Sequence, residues 1–185
     1  EATIPAYHLA MNSNDAPKVC VVTGASGLVG QRLVTMLIQR GAEHVIAIDI
    51  APTADSTKEN HIKVIGSENV EKKLSYCVGD ICKKDELLII IKNTLATITS
   101  QHSGGVSQIS STHDIEPSID CFFHVAALVG PYHPMPLYDQ VNHQGAKNVV
   151  SICKTLNIAK LVFTSSPSTR LDSTDVFNLR EDQLP

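Results

Sequence analysis

The stretch Thr23-Gly24-Ala25-Ser26-Gly27-Leu28-Val29-Gly30 decides the fold predicted from this sequence. It joins an apolar, β-branched run at residues 18–23 to a segment at 27–40 whose apolar residues recur at helical spacing. Glycine permits a sharp turn at 24, backbone approach to a bound group at 27 and close packing of helix on sheet at 30. The first N–H groups of the helix then attract phosphate. The stretch predicts a dinucleotide site, and a glycine-rich turn without a ligand is the alternative.

A carboxylate follows the next apolar run. Residues 44–49 are predicted to form a second strand that ends at Asp49, 19 residues after Gly30. A carboxylate at this position accepts hydrogen bonds from the adenosine ribose hydroxyls and repels a 2′-phosphate. The next residues are Ile50, Ala51 and Pro52, with no arginine to receive that phosphate. The pattern predicts NAD(H) over NADP(H), and a solvated strand-end charge is the alternative.

Apolar runs and helical patterns alternate along the rest of the chain. Further strands are predicted at 74–80, 121–127 and 160–166, and further helices at 84–98 and 137–156. Parallel strands need crossover connections, which are usually helices. The alternation therefore predicts an α/β fold with a doubly wound parallel sheet of the Rossmann type.

The remaining segments define the predicted domain organisation. Residues 1–17 are expected to be an irregular N-terminal extension, and residues 18–185 an NAD-binding Rossmann domain. Residues 99–118 are rich in Ser, Thr, Gly and His, which predicts a polar loop insertion. Residues 51–73 are polar and show no clear pattern, and three prolines predict an ordered, non-helical loop at 131–136.

Composition narrows the range of partners and compartments. The formal net charge is -4 and no lysine or arginine cluster occurs, which argues against nucleic acid or an anionic membrane as the main partner. The five cysteines show no metal-ligand spacing, so we expect no metal and reduced thiols in a cytoplasmic compartment. No apolar run is long enough to span a membrane.

The ordered motifs resemble the extended short-chain dehydrogenase/reductase superfamily over residues 18–185. The resemblance is most specific for the branch of 3β-hydroxysteroid dehydrogenases and sterol-4α-carboxylate 3-dehydrogenases, although nucleotide-sugar epimerases and dihydroflavonol reductases share much of the pattern. The motifs are Gly24-x-x-Gly27-x-x-Gly30, Gly79-Asp80-Ile81, Phe123-His124-Val125-Ala126-Ala127 followed by Pro131, the segment 141–150, Phe163-Thr164-Ser165-Ser166, and the segment 180–185.

The resemblance also implies roles for individual residues. Ser166 is implied as the catalytic serine that holds the substrate oxygen; Ser165 and Ser168 are neighbouring candidates, and a plain strand-end serine is the alternative. For Asn142, placed near the active site, a helix-capping or surface role is the alternative. The implied NAD-binding residues are Gly24, Ser26, Gly27, Leu28, Val29, Gly30, Asp49, Ile50, Asp80, Ile81, Val125, Ala126, Ala127, Asn142 and Thr164.

The catalytic Tyr-x-x-x-Lys pair of the family does not occur in this sequence. None of its tyrosines, Tyr7, Tyr76, Tyr132 and Tyr138, has a lysine four positions later. In the family the pair follows the serine by a few tens of residues, and this sequence stops at Pro185. We expect that a continuation carries the pair and that the C-terminal substrate lobe is absent from this chain; a binding-only relative is the alternative.

Three functions remain open at this point. The first is NAD-dependent oxidation of a secondary alcohol on a sterol-like small molecule. The second is a nucleotide-sugar epimerase or dehydratase, and the third is a non-catalytic NAD-binding subunit of a larger assembly. The resemblance implies a homodimer through the 137–156 helix, and membrane contact at the endoplasmic reticulum only if a segment after Pro185 supplies it.

Overall fold

The computed structural model describes residues 17–102, 118–166 and 180–183. Five parallel strands form one sheet in the order β3-β2-β1-β4-β5. This order places β1 at the centre. Successive strands are added on one side of β1 up to β3 and on the other side from β4, which confirms the predicted Rossmann-type α/β fold. The strands are β1 Val19–Thr23, β2 His44–Asp49, β3 Leu74–Val78, β4 Cys121–His124 and β5 Lys160–Phe163.

Helices connect the strands and cover both faces of the sheet. The α-helices are α1 Leu28–Gln39, α2 Asp55–Ile65, α3 Ser67–Lys73, α4 Lys84–His102, α5 Met135–Tyr138 and α6 Gly145–Thr155. A π-helix at Asp139–Gln144 joins α5 to α6, and a 3₁₀ turn occupies Glu181–Gln183.

Two apolar cores lie on opposite faces of the sheet because successive strand residues point to opposite sides. Val21 and Phe122 pack with residues of α4 and α6 on one face. Val22 and Ala47 pack with residues of α1 and α2 on the other. Burial on both faces explains why the central strands read as unbroken apolar runs. The same packing holds the ends of these strands in place, and the functional site lies at those ends.

One segment that gave no clear pattern in the sequence is helical. The polar segment 51–73 contains α2 and α3. The buried residues of α2 are Thr57, His61 and Ile65, which recur every four residues on one helical face. Because two of these three residues are polar, a search for apolar periodicity does not detect the helix.

The predicted loop insertion at 99–118 is wrong at its start, because α4 continues to His102. Hydroxyl groups normally favour loops, yet the hydroxyls of Thr99 and Ser100 donate to the carbonyl oxygens of Leu95 and Ala96 at 2.9 Å. These bonds satisfy the polar side chains within the helix. Residues 103–117 lie outside the described residues, as does the predicted N-terminal extension apart from Pro17.

The predicted loop at 131–136 and helix at 137–156 have different boundaries in the structure. Helix α5 begins at Met135, with Pro134 as its N-cap. Pro136 lies in the first turn, where a missing N–H breaks no helical hydrogen bond. The predicted single helix is a succession of α-, π- and α-helical segments that ends at Thr155. Three strands also end two or three residues before their predicted ends, at Val78, His124 and Phe163.

Candidate dinucleotide-binding site

The loop between β1 and α1 is compact because two glycines, Gly24 in the loop and Gly30 in the first turn of α1, leave no room for a side chain. Gly24 has φ +71°, and a Cβ there would lie 2.7 Å from the backbone nitrogen of Ala126. A Cβ at Gly30 would collide with the carbonyl oxygen of Gly24 and lie 2.8 Å from the Cα of Ala25. Gly30 therefore allows α1 to approach this loop closely, rather than the sheet as the sequence predicted. Gly24 joins the loop to the segment that follows β4.

Strand β2 holds the other side of the same loop. The backbone N–H of Ala25 donates to the carbonyl oxygen of Ile48 at 3.1 Å. The backbone N–H of Ser26 donates to Oδ2 of Asp49 at 2.8 Å. Asp49 is half-buried, so it is more than a solvated charge at a strand end. The carboxylate orders the loop at the same edge of the sheet where the sequence predicts a ribose.

The N-terminus of α1 points a positive potential at this loop. Its N-cap is Gly27, and among the described residues no side chain caps the helix and no acid lies in its first turn. The first N–H groups of a helix have no partner inside it, and the helix dipole adds a partial positive charge. An anion bound at this end would meet backbone donors without a competing carboxylate in that first turn.

Helix α6 supports the segment that follows β3. Oδ1 of Asp80 accepts the backbone N–H of Cys82 at 2.8 Å, which closes a short turn. The side-chain amide of Asn148 donates to the carbonyl oxygen of Ile81 at 2.9 Å. A Cβ at Gly145 would lie 2.8 Å from the side chain of Ile81, so α6 packs directly against this residue. These contacts hold Asp80 and Ile81 at the carboxyl edge.

His124, the last residue of β4, is buried between neighbouring strands. Its Nδ1 shares a hydrogen bond of 2.8 Å with Oγ1 of Thr23 on β1. Its ring lies 5.0 Å from the ring of Phe163 on β5, measured between centroids. Burial lowers the pKa of His124 to about 4, so the imidazole is neutral near pH 7. His124 joins the ends of β1, β4 and β5 as an uncharged side chain.

Asn142 lies in the π-helix and fixes the backbone beyond β4. Its Oδ1 accepts the N–H of Leu128 at 2.8 Å, and its Nδ2 donates to the carbonyl oxygen of the same residue at 2.9 Å. Such a double hydrogen bond sets both the position and the orientation of the Leu128 peptide groups. The capping or surface alternative does not describe this geometry, although contact between Asn142 and a cofactor stays a prediction.

These elements enclose a cleft of about 600 Å³ at the carboxyl edge, beside the reversal in strand order. All the NAD-binding residues predicted from the sequence line it, except Asn142 and Thr164. Thr23 and Gly79 also line it. Both lie within predicted strands, and neither of them was assigned to the cofactor from the sequence. The other lining residues that the sequence did not single out are Ile48, Leu128, Val129 and Val141.

The charge of this cleft determines which ligand suits it. Its described lining includes the carboxylates Asp49 and Asp80 but no lysine, arginine or histidine. A diphosphate there would be held by backbone N–H groups and the α1 dipole, whereas a further phosphate beside Asp49 would be repelled. The glycine loop, the uncapped helix and the carboxylate therefore fit a dinucleotide that carries free ribose hydroxyls.

Thr164 and Ser166 follow β5 outside this cleft. The N–H of Thr164 donates to the carbonyl oxygen of His124 at 3.0 Å, which continues the sheet past the end of β5. Thr164 lines a separate, apolar cleft of about 650 Å³ with Phe123, Val125 and Val162. Ser166 is exposed and is not among the lining residues of either cleft. Its catalytic role stays a prediction.

The described residues also bear on metal binding, thiol chemistry and membrane contact. Within residues 17–102, 118–166 and 180–183, no three His, Cys, Asp or Glu side chains come together as a metal-binding group. Every cysteine is a free thiol, and burial raises the pKa of Cys20 to about 12 and that of Cys153 to about 11. None of the helices in these ranges has the length and hydropathy needed to cross a bilayer.

Comparison with known families and sequences gives consistent matches. The model of the NAD dependent epimerase/dehydratase family matches residues 20–178. The chain is 28% identical over 172 residues to the human (Homo sapiens) sterol-4-alpha-carboxylate 3-dehydrogenase, decarboxylating, covering 93% of the chain and 35% of that protein. It is 24% identical over 177 residues to 3beta-hydroxysteroid-dehydrogenase/decarboxylase isoform 1 of Arabidopsis thaliana, covering 96% and 35%. The chain thus spans about a third of the length of these relatives.

Solved structures with the same fold have lower sequence identity. The epimerase Mth375 of Methanothermobacter thermautotrophicus gives a TM-score of 0.64 at 20% identity, covering 94% of this chain and 42% of that one. The UDP-glucuronic acid 4-epimerase of Bacillus cereus, solved in complex with NAD, gives 0.58 at 23% identity, covering 90% and 45%. At these identities the likeness establishes the fold alone.

Proposed function

The chain belongs to the NAD-dependent epimerase/dehydratase family, and on that premise we propose that it forms the NAD(H)-binding domain of a dehydrogenase that oxidises a 3β-hydroxy group of a sterol-like substrate. The family description confirms NAD as the cofactor expected from the sequence. The substrate class rests on the curated relatives, which are named as sterol and 3β-hydroxysteroid dehydrogenases.

One observation carries the binding part of this proposal. The cleft at the carboxyl edge brings the glycine loop, the N-terminus of α1 and Asp49 to one place. We assign the diphosphate to the backbone N–H groups of residues 28–30, since these begin a helix without a side-chain cap. We assign the adenosine ribose to the carboxylate of Asp49, which the N–H of Ser26 already holds in position.

The chemistry of oxidation needs a further group beside the cleft. When bound, NAD supplies a hydride acceptor for the carbinol carbon, and the hydroxyl proton must leave at the same time. We assign to Ser166 the task of holding the substrate oxygen. Ser166 follows β5, and parallel strands place their carboxyl ends at one edge of a sheet, which is the edge that forms the cleft.

The Ser166 assignment predicts a defect in turnover. In a form of the protein that oxidises a 3β-hydroxysterol, Ser166→Ala should lower kcat by about 10²–10³-fold, the usual scale for losing one hydrogen-bond donor to the reacting oxygen. NAD affinity should be retained, because Ser166 lies outside the cleft lining. Ser165→Ala, at the exposed neighbouring candidate, is the comparison variant: it should retain kcat, and loss of turnover there instead would move the role to Ser165. An unchanged rate for Ser166→Ala would exclude it from the site.

The same assay separates the sterol proposal from the epimerase alternative. A dehydrogenase releases NADH in proportion to the sterol consumed, which absorbance at 340 nm records. A nucleotide-sugar epimerase converts its substrate without net release of NADH. Conversion of UDP-sugars without NADH release, together with no NADH from 3β-hydroxysterols, would replace the proposed substrate class while leaving the cofactor site intact.

A further inference from the structure

The peptide groups around Ser26 are held from three sides. Its N–H donates to Asp49 as described above, and its Oγ lies 3.4 Å from Oγ1 of Thr53. Its carbonyl oxygen accepts a hydrogen bond of 2.6 Å from Nε2 of Gln31. Asp49 and Thr53 approach from the β2 side, whereas Gln31 approaches from α1. Gln31 has no part in the reaction or in the cofactor contacts assigned so far.

Gln31 lies one residue after Gly30, in the first turn of α1. Its backbone N–H donates to the carbonyl oxygen of Gly27 at 2.9 Å, and its side chain is half-buried. The lining of the cleft does not include Gln31, and its side-chain amide is already engaged by the Ser26 carbonyl oxygen. Any influence on the cofactor must pass through the peptide that its side chain holds.

The Ser26–Gly27 peptide is fixed at both of its polar ends. Gln31 holds the carbonyl end, and the N–H of Gly27 donates to the carbonyl oxygen of Gly24 at 3.1 Å. Because residue 27 is glycine, this peptide would otherwise rotate with little steric resistance. Rotation would turn a carbonyl oxygen, which is a negative dipole end, toward the phosphate oxygens. A loop that is already ordered avoids this repulsion and the entropic cost of ordering on binding.

We propose that Gln31 is a positioning residue for NAD: its side-chain amide locks the Ser26–Gly27 peptide in the orientation that admits the diphosphate. This inference rests on the NAD site proposed above. It assigns a specific requirement to position 31, namely a side chain that donates a hydrogen bond at the length of glutamine. Glutamic acid has this length and donates only when it is protonated.

The protonation of glutamic acid gives a test that a merely structural role would not pass. In Gln31→Glu, an ionised carboxylate would face the Ser26 carbonyl oxygen and repel it, whereas the protonated acid restores the donor. Calorimetry of the chain should give a Kd for NAD⁺ about tenfold above wild type at pH 8, the scale of an acceptor left unsatisfied. The ratio of the two Kd values should fall to about four at pH 5, where a carboxyl group of ordinary pKa is partly protonated, and should continue toward one as the pH falls further.

Dividing the Kd of Gln31→Glu by that of wild type at each pH corrects for groups that titrate in both proteins. Asp49 on β2 holds the same loop residue, and His61 on α2, whose pKa is lowered by burial, lies next to the backbone of Gln31; wild type and Gln31→Glu both contain Asp49 and His61. Gln31→Met below separates loss of the donor from a charge placed near the start of α1, and Gln39→Glu, at an exposed residue in the last turn of the same helix, is the control for net charge. This control should bind NAD⁺ as wild type does at both pH values.

A second variant keeps the inference testable if Gln31→Glu does not fold. Gln31→Met retains length and helix propensity but cannot donate, so its Kd should rise about fivefold at both pH values. Wild type that binds no NAD⁺ would overturn the proposed function. Wild type that binds while Gln31→Met and Gln31→Glu stay within twofold of it would overturn the role of Gln31 alone, as would a Gln31→Glu ratio that does not change with pH.

Discussion

Asp49 illustrates how one side chain serves both the fold and the site. One of its oxygens accepts the N–H of Ser26, so the carboxylate is ordered by the loop that it helps to order. The spacing from Gly30 predicts the carboxylate at this position, because the strand length and the turn fix where β2 ends. The contact with Ser26 depends on how the loop curves back over β2, which residue spacing does not specify.

Removing the charge of Asp49 should change the choice of cofactor. In Asp49→Asn the repulsion of a 2′-phosphate disappears, and the charge-assisted bonds to the ribose weaken. The ratio of the Kd for NADP⁺ to that for NAD⁺ should therefore fall by about tenfold, a charge-assisted hydrogen bond being the expected loss. Calorimetry with both nucleotides measures the ratio.

A matched variant separates the local effect of Asp49 from the change in the net charge of the protein. Asp85→Asn removes an exposed carboxylate of α4 that is not part of the cleft lining, and should leave the ratio unchanged. Equal affinity of the unaltered protein for NAD⁺ and NADP⁺ would contradict the role assigned to Asp49. An unchanged ratio in Asp49→Asn would contradict it as well.

At the scale of elements, apolar patterning predicts the strands and fails for part of the helical structure. The central strands are buried on both faces, so their sequences are apolar throughout and easily detected. Helix α2 buries Thr57 and His61, and the π-helix changes the helical period around Asn142. Neither feature follows from a 3.6-residue apolar repeat. The segments after β3 and β4 leave the strand conformation to line the cleft, which explains the strands predicted too long.

The junction of β1, β4 and β5 at His124 makes stability depend on pH. The pKa of this histidine is about 4 in the folded protein and near 6.5 when unfolded, so the unfolded chain binds the proton more readily. The contribution of neutral His124 to the free energy of unfolding is complete above pH 6.5 and is lost as the pH falls from 6.5 to 4. The loss from this group should reach about 3 kcal/mol, at 1.36 kcal/mol per pKa unit.

Urea unfolding at pH 7 and pH 4.5 measures this loss. His124→Gln should weaken the pH dependence, because glutamine keeps a polar partner for Thr23 and does not titrate. His133→Gln, at an exposed histidine, controls for the substitution itself. A free energy of unfolding that is equal at the two pH values in wild type, or a pH dependence that His124→Gln leaves intact, would contradict this description of His124.

At the scale of the whole molecule, the position of the cleft follows from the strand order. The chain leaves β1 toward β2 on one side, whereas β4 lies on the other side of β1 and the chain continues from it to β5. The segments after β1 and β4 therefore run in opposite directions at the carboxyl edge, which opens the cleft. The alternation of strands and helices predicts this topology from the sequence. The substrate site is not predictable in the same way, because the chain spans about a third of the length of its curated relatives.

A crystal structure of the chain with NAD⁺ tests the central claim most directly. Diphosphate oxygens should lie about 2.7–3.2 Å from the backbone nitrogens that begin α1, within residues 28–30. The adenosine ribose should be hydrogen-bonded to Asp49. Electron density that places NAD⁺ away from the loop at residues 24–30, or a diphosphate held by side chains elsewhere on the protein, would contradict the account.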